Sequence, residues 1–167
     1  MAATTLISVE EYLRTSFQDG DREYLDGRIV ERNMGEVDHS DVQSNALFYL
    51  KSHHRKLWAG VEVRVQVKAT RFRVPDVIVM EGGKPKSAVV KTPPFLVIEV
   101  LSRDDRASDL EAKLDDYFAF GVKYVWVINP ETRRGFIHTA KGSREAKDGV
   151  LRTQNPEIQV PLAELFS

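Results

Sequence analysis

The chain contains no cysteine, so disulfide staples, thiolate zinc centres and cysteine nucleophiles are all excluded. It also has no run approaching the roughly 20 apolar residues of a membrane span. Its opening, MAATTLISVEEYL, lacks the basic start and long apolar core of a signal peptide, so cytoplasmic residence is the expectation. There is no surplus of positive charge: 24 Lys and Arg face 25 Asp and Glu, a formal net charge of −1. A nucleic-acid partner would therefore be engaged by a local basic patch or through metal ions. Repeats, low-complexity tracts and linkers are missing as well. The 167 residues are enough to bury a real core, and a single domain over residues 1–167 is expected.

What is present reads as one mixed α/β domain. Ser8, followed three residues later by Glu11, makes a capping box for a short helix over about Val9 to Arg14. Asp26-Gly27 between Arg22–Leu25 and Arg28–Glu31 predicts a hairpin. Asp38 or Ser40 can cap a helix reaching about Trp58, with Val42, Ala46, Tyr49, Leu50, His53 and Leu57 on its buried face. Val61, Val63, Val65 and Val67 alternate with polar residues, which predicts one half-buried strand from Val61 to Arg73. Val74 to Met80 is a second strand, with Pro75 near its start. The Gly- and Pro-containing stretch Glu81 to Pro94 is expected to be a mobile surface loop.

Phe95 to Leu101 is a continuous apolar run, as in a strand covered on both faces. A helix from Ala107 to Phe120 ends at Gly121, and Tyr124 to Ile128 is the next buried strand. Strand, helix and strand in this order imply a right-handed crossover between parallel strands. The remainder predicts one or two edge strands and a terminal turn.

Single acids interrupt two of the apolar strands: Asp76 in VPDVIVM and Glu99 in FLVIEVL. A carboxylate there is costly to bury without a cation or hydrogen-bond donors. Glu99 can be a strand-end acid paired with Arg73 or Arg103, and Asp76 alone can be a turn aspartate. If the strands are neighbours, the two acids converge, repel, and suit a divalent ion; all-oxygen ligands favour Mg²⁺ or Mn²⁺. Lys113 lies at the margin of the helix stripe formed by Leu110, Leu114, Tyr117 and Phe118, where it can snorkel toward the sheet end. Its alternative is an exposed i,i+4 pair with Asp109. The adjacent His53 and His54 lack the spacing of a helical metal pair.

The strings RVPDVIV, FLVIEVLS, S-D-L-x-x-K-x-x-x-Y-x-x-x-G-V and YVWVINP resemble the Uma-type restriction endonucleases. This family, long described as a domain of unknown function and common in cyanobacteria, belongs to the PD-(D/E)xK superfamily. The likeness spans nearly the whole chain, including REYLDGRIVER, His39 and IQVPLAELF. It implies a restriction-endonuclease-like α/β core, a mixed sheet flanked by helices. It implies a Mg²⁺- or Mn²⁺-dependent endonuclease acting on DNA. Asp76 and Glu99 would be the metal ligands, helped by the main-chain carbonyl of Val100. The superfamily lysine normally follows the acid by two residues, where this chain has Leu101; the resemblance transfers that role to Lys113 on the next helix. Glu23 and His39 match recurrent family positions and are expected to border the site, although His39 can equally be a capping or packing residue. Lys84, Lys86, Lys91, Arg103 and Arg106 either contact a phosphate backbone or form a solvated surface. Cutting both strands of a duplex needs two active sites, so a two-fold homodimer is expected. Two rivals remain: a non-catalytic module that keeps the nuclease fold, and an enzyme acting on a small phosphorylated substrate.

Overall fold

The computed structural model describes residues 5–18, 20–33 and 35–167. The chain opens with α1 (Val9–Arg14), β1 (Glu23–Leu25), β2 (Arg28–Val30) and α2 (Val37–His53). Then come β3 (Trp58–Val61), β4 (Val65–Lys68), β5 (Arg71–Arg73), β6 (Val77–Met80) and β7 (Leu96–Val100). Helix α3 (Ala107–Phe120) leads to β8 (Tyr124–Asn129), β9 (Arg134–Thr139) and β10 (Gly142–Glu145). The chain closes with β11 (Val150–Arg152), β12 (Gln159–Pro161) and a single 3₁₀ turn, Leu162–Glu164.

A six-stranded mixed sheet in the order β10-β9-β8-β7-β6-β3 forms the centre. Strands β7 and β8 run parallel, joined by α3, and their neighbours are antiparallel. Alternation sorts the side chains of the sheet to two faces. Leu96, Ile98, Val77 and Val79 pack with Val42, Ala46 and Leu50 of α2 on one face. Val97, Ile78, Val125 and Val127 pack with Tyr117 of α3, and with Leu110 and Leu114, on the other. By the same alternation Asp76 and Glu99 belong to the α3 face. The end of α3 needs a glycine: Gly121 has φ +112, and its N–H reaches the carbonyls of Tyr117 and Phe118. Among the described residues, no helix is long and apolar enough to cross a membrane.

Several sequence expectations are corrected. Helix α2 stops at His53, because Trp58 pairs with Met80 across β3 and β6 and so belongs to the sheet. Glu36 occupies its N-cap, and neither Asp38 nor Ser40 caps it. The valine alternation from Val61 to Arg73 spans three strands rather than one. Glu62, at φ +52, ends β3, and β4 then joins a separate sheet of order β2-β1-β5-β4. The 81–94 connection is anchored, since Val90 is buried and bridges to Val65. The C-terminal tail holds four strands. β9 and β10 extend the large sheet. β11 and β12 form a separate ribbon that carries Leu151 and Val160 into the core on the α2 side.

Candidate active site

The register of β6 on β7 pairs Val77 with Ile98, so the next position sets Asp76 opposite Glu99. Residues directly opposite in an antiparallel pair point to the same face. Both carboxylates are almost wholly buried, Asp76 at 2% and Glu99 at 4% exposure. Neither is left bare. The Glu99 carboxylate accepts from Tyr117 Oη at 2.5 Å on Oε1 and from Lys113 Nζ at 3.1 Å on Oε2. Lys113 and Tyr117 are four residues apart on α3 and therefore share a face.

The carboxylate of Asp76 takes different partners. Arg32 Nη2 donates to its Oδ1 at 2.7 Å, and His39 Nε2 approaches the same oxygen at 3.3 Å. The Val100 N–H donates to Oδ2 at 2.7 Å. The Asp76 carbonyl is also held, by Gln43 Nε2 at 3.2 Å and by the Glu62 N–H at 3.3 Å. Backbone and side chain are thus pinned by four separate segments of the chain.

The surroundings split the two acids electrostatically. Burial pushes Glu99 up; the Lys113 ammonium opposes this, the Asp76 charge adds to it, and the net shift is upward. Burial works against the Asp76 charge too, but His39, Arg32 and the Val100 N–H outweigh it and hold the carboxyl below its usual range. Burial draws the Lys113 ammonium down, yet Glu99, Glu23 and Asp76 overcome this and keep it protonated. The hydrogen bond to Asp76 raises His39 against its burial. Tyr117 is pushed well above its ordinary value by burial and by Glu99, so it acts as a donor. Two adjacent acids shifted in opposite directions beside a fixed ammonium are a recurrent feature of reactive sites.

The chain belongs to the Uma2 family. A family model described as "Putative restriction endonuclease" matches residues 9–165. Among solved structures, one described as "a putative nuclease belonging to DUF820", from Anabaena variabilis, superposes with a TM-score of 0.79. That match is at 22% identity and covers 96% of this chain and 97% of the other, which shows the fold. No curated protein matches the chain.

The other residues singled out in the sequence of this Uma2 member fall in varied places. His39 lies in the first turn of α2 and touches Asp76. Glu23 is buried behind the pair, accepting from Arg73 Nη1 at 2.9 Å and from the Val74 N–H at 3.1 Å. Arg73 does not pair with Glu99. It bridges Glu23 to Asp116 of α3, with Nε 2.7 Å from Asp116 Oδ2. Arg103 pairs with Glu36 at 3.5 Å, and Lys113 turns to Glu99, not to Asp109. Lys84, Lys86 and Lys91 sit in the connection that leaves β6 at Met80 and enters β7 at Leu96, the strand ends remote from the acids. His53 and His54 lie at the far end of α2, where His53 stacks on Tyr49 with ring centroids 4.0 Å apart.

Two contacts were not anticipated. Tyr117 counted only as part of the apolar stripe, although its spacing from Lys113 carried the signal. Arg32 lies 44 residues from Asp76 in sequence, and no local pattern marks it.

The fit of a metal rests on donor chemistry. Among the described residues, no cluster of three or more His, Cys, Asp or Glu is arranged to hold an ion. Two adjacent carboxylates suit Mg²⁺, which keeps several waters and needs one or two protein carboxylates. Asp76 Oδ2 and both Glu99 oxygens keep a second lone pair beyond the one bond each accepts, whereas Asp76 Oδ1 already faces both Arg32 and His39.

Proposed function

We propose that this Uma2 member is a divalent-metal-dependent endonuclease that hydrolyses phosphodiester bonds in DNA. The observation that carries the reading is the opposition of Asp76 and Glu99 across β6 and β7, with Lys113 set on Glu99. Asp76 and Glu99, with the Val100 carbonyl, would hold Mg²⁺ or Mn²⁺. When bound, the ion polarises the scissile phosphate and lowers the pKa of a water.

The chain's own residues supply the rest. Tyr117 and Lys113 fix the Glu99 carboxylate in one orientation. The Val100 N–H and His39 do the same for Asp76. Lys113 stays protonated, so it serves as a hydrogen-bond donor to charge developing on the phosphate rather than as a base. Walls of Val and Ile side chains on β6 and β7 keep the carboxylates out of bulk water, which strengthens each of these interactions. Cutting a duplex on both strands would use a two-fold dimer.

Calorimetric titration with Mn²⁺ tests the reading. Native chain should bind saturably, and Glu99→Ala should abolish the signal. Loss of binding in the variant, followed by Mn²⁺-dependent cleavage of plasmid DNA by the native chain, is the expected pair of results. Lys113→Ala should keep Mn²⁺ binding and slow cleavage by roughly 10²–10³-fold, the range for losing one donor to a charged transition state. Full activity in Lys113→Ala would remove the lysine from the mechanism.

One observation favours a second reading. Asp76 already has Arg32 as a cation partner and Glu99 has Lys113, so both acids are balanced without any ion. A non-catalytic module with the nuclease fold would show this balance, and it would not bind Mn²⁺ in the titration.

A further inference from the structure

The two cations of the site are not equivalent. Lys113 projects from the middle of α3 and pairs with Glu99, whose carboxylate Tyr117 also holds. Arg32 comes from the irregular chain just beyond β2, outside any helix or strand. Its guanidinium is shared: Nη2 lies 2.7 Å from Asp76 Oδ1, and Nη1 lies 3.4 Å from Glu62 Oε1. The inner partner is buried, with a side chain 3% exposed, whereas Glu62 is half in solvent at 48%. Arg32 and Lys113 are about equally exposed, at 21% and 23% of the side chain, so what separates them is the second acid: Arg32 reaches from buried Asp76 to Glu62 at the surface.

A divalent ion on Asp76 and a guanidinium on the same carboxylate oxygen repel each other. With Arg32 and Lys113 in place each carboxylate already has a cation, and His39 Nε2 lies 3.3 Å from the same Asp76 oxygen as Arg32. One group must yield to an ion. Lys113 is fixed on α3 and His39 on α2, whereas Arg32 has no regular element to hold it and an outer acid, Glu62, to retain it. A planar guanidinium released there is the side chain best matched to two phosphate oxygens.

We propose that Arg32 occupies the metal position on Asp76 in the free protein and, once a divalent ion displaces it, binds a non-bridging oxygen of the DNA phosphate. Arg32 thus balances Asp76 in the empty site and becomes a substrate contact in the loaded one. This rests on the two-acid metal site proposed above.

Mn²⁺ calorimetry without DNA separates the two ideas. Arg32→Ala should bind Mn²⁺ roughly tenfold more tightly than the native chain, the scale of one charge-assisted contact removed. Arg32→Gln preserves side-chain length without charge and should tighten binding in the same direction. Arg32→Lys should stay near the native affinity. At saturating Mn²⁺, Arg32→Ala and Arg32→Gln should cleave a short duplex at least about tenfold more slowly. A residue that merely supported Asp76 would, when removed, weaken Mn²⁺ binding.

Suppose the native chain binds Mn²⁺ and Glu99→Ala does not. Unchanged or weaker affinity in both Arg32 variants would then overturn the proposal and leave the metal site standing. Tighter Mn²⁺ binding with undiminished cleavage would overturn the phosphate contact. If neither the native chain nor Arg32→Ala binds Mn²⁺, the metal site itself fails, and this role for Arg32 with it.

Discussion

Arg73→Met should lower folding stability by about 3–5 kcal/mol, the cost of leaving buried charges without their partner. Arg73, Glu23 and Asp116 are each 3% exposed. The guanidinium joins β1, β5 and α3 through Glu23 at 2.9 Å and Asp116 at 2.7 Å. Methionine fills the volume and supplies no donor, so two carboxylates are left in an apolar setting. Arg71, 3.1 Å from Asp116, offsets part of the loss at that end; among the described residues, Glu23 has only the Val74 N–H besides Arg73. For a chain of this size the melting temperature should fall by roughly 10 °C.

A triple variant, Glu23→Gln, Arg73→Met and Asp116→Asn, removes all three charges together and should recover much of the stability. Urea unfolding of the native chain, Arg73→Met and the triple variant is the measurement. A cost below about 1 kcal/mol for Arg73→Met would mean that water or chain relaxation solvates the two acids. The network also matters to the site. Asp116 precedes Tyr117 and follows Lys113 by one helical turn, so the anchor on Arg73 fixes the rotation of α3 that lets both reach Glu99.

This network marks where the sequence stops being readable. Asp76 and Glu99 were legible because each breaks an apolar strand run, and an acid there must be compensated by something. Helix α3 was legible to the residue, since its stripe is unbroken and Gly121 terminates it. The parallel β7–β8 pair followed from a strand, a helix and a strand in succession. Periodicity misled where it runs through a change of direction. The valines from Val61 to Val67 keep their alternation across Glu62, yet Val61 lies in one sheet and Val65 in another. Leu57 continued the helical spacing, but the next residue, Trp58, is claimed by its partner Met80. Arg32 and Arg73 find their acids across 43 to 50 residues of chain, and such pairings leave no local trace.

Asp76→Asn should remove Mn²⁺ binding while leaving the fold in place, and Asp76→Ala should lose both binding and stability. The difference lies in what the side chain does without a metal. Asp76 Oδ2 accepts from the Val100 N–H at 2.7 Å, a bond that tethers the start of β6 to the end of β7. An asparagine carbonyl can keep that bond. Alanine leaves a buried N–H unpaired, at a cost of about 1–3 kcal/mol, and strips Arg32 and His39 of their partner as well.

Loss of an outer-shell partner alone weakens metal sites by roughly 10–100-fold, so a missing carboxylate ligand should cost at least about 100-fold in Mn²⁺ affinity. Thermal unfolding reads both effects in one experiment. With Mn²⁺ at about 100 times its Kd, the native chain gains about 2.7 kcal/mol by mass action and melts several degrees higher. Asp76→Asn keeps the Val100 bond but gives up the carboxylate that Arg32 and His39 hold, so it should melt somewhat below the native metal-free chain, at the same temperature with and without Mn²⁺. Asp76→Ala should melt lower in both conditions. A Mn²⁺-dependent rise in Asp76→Asn as large as the native one would place the ion away from Asp76. The opposed carboxylates would then be a structural pair neutralised by Arg32 and Lys113.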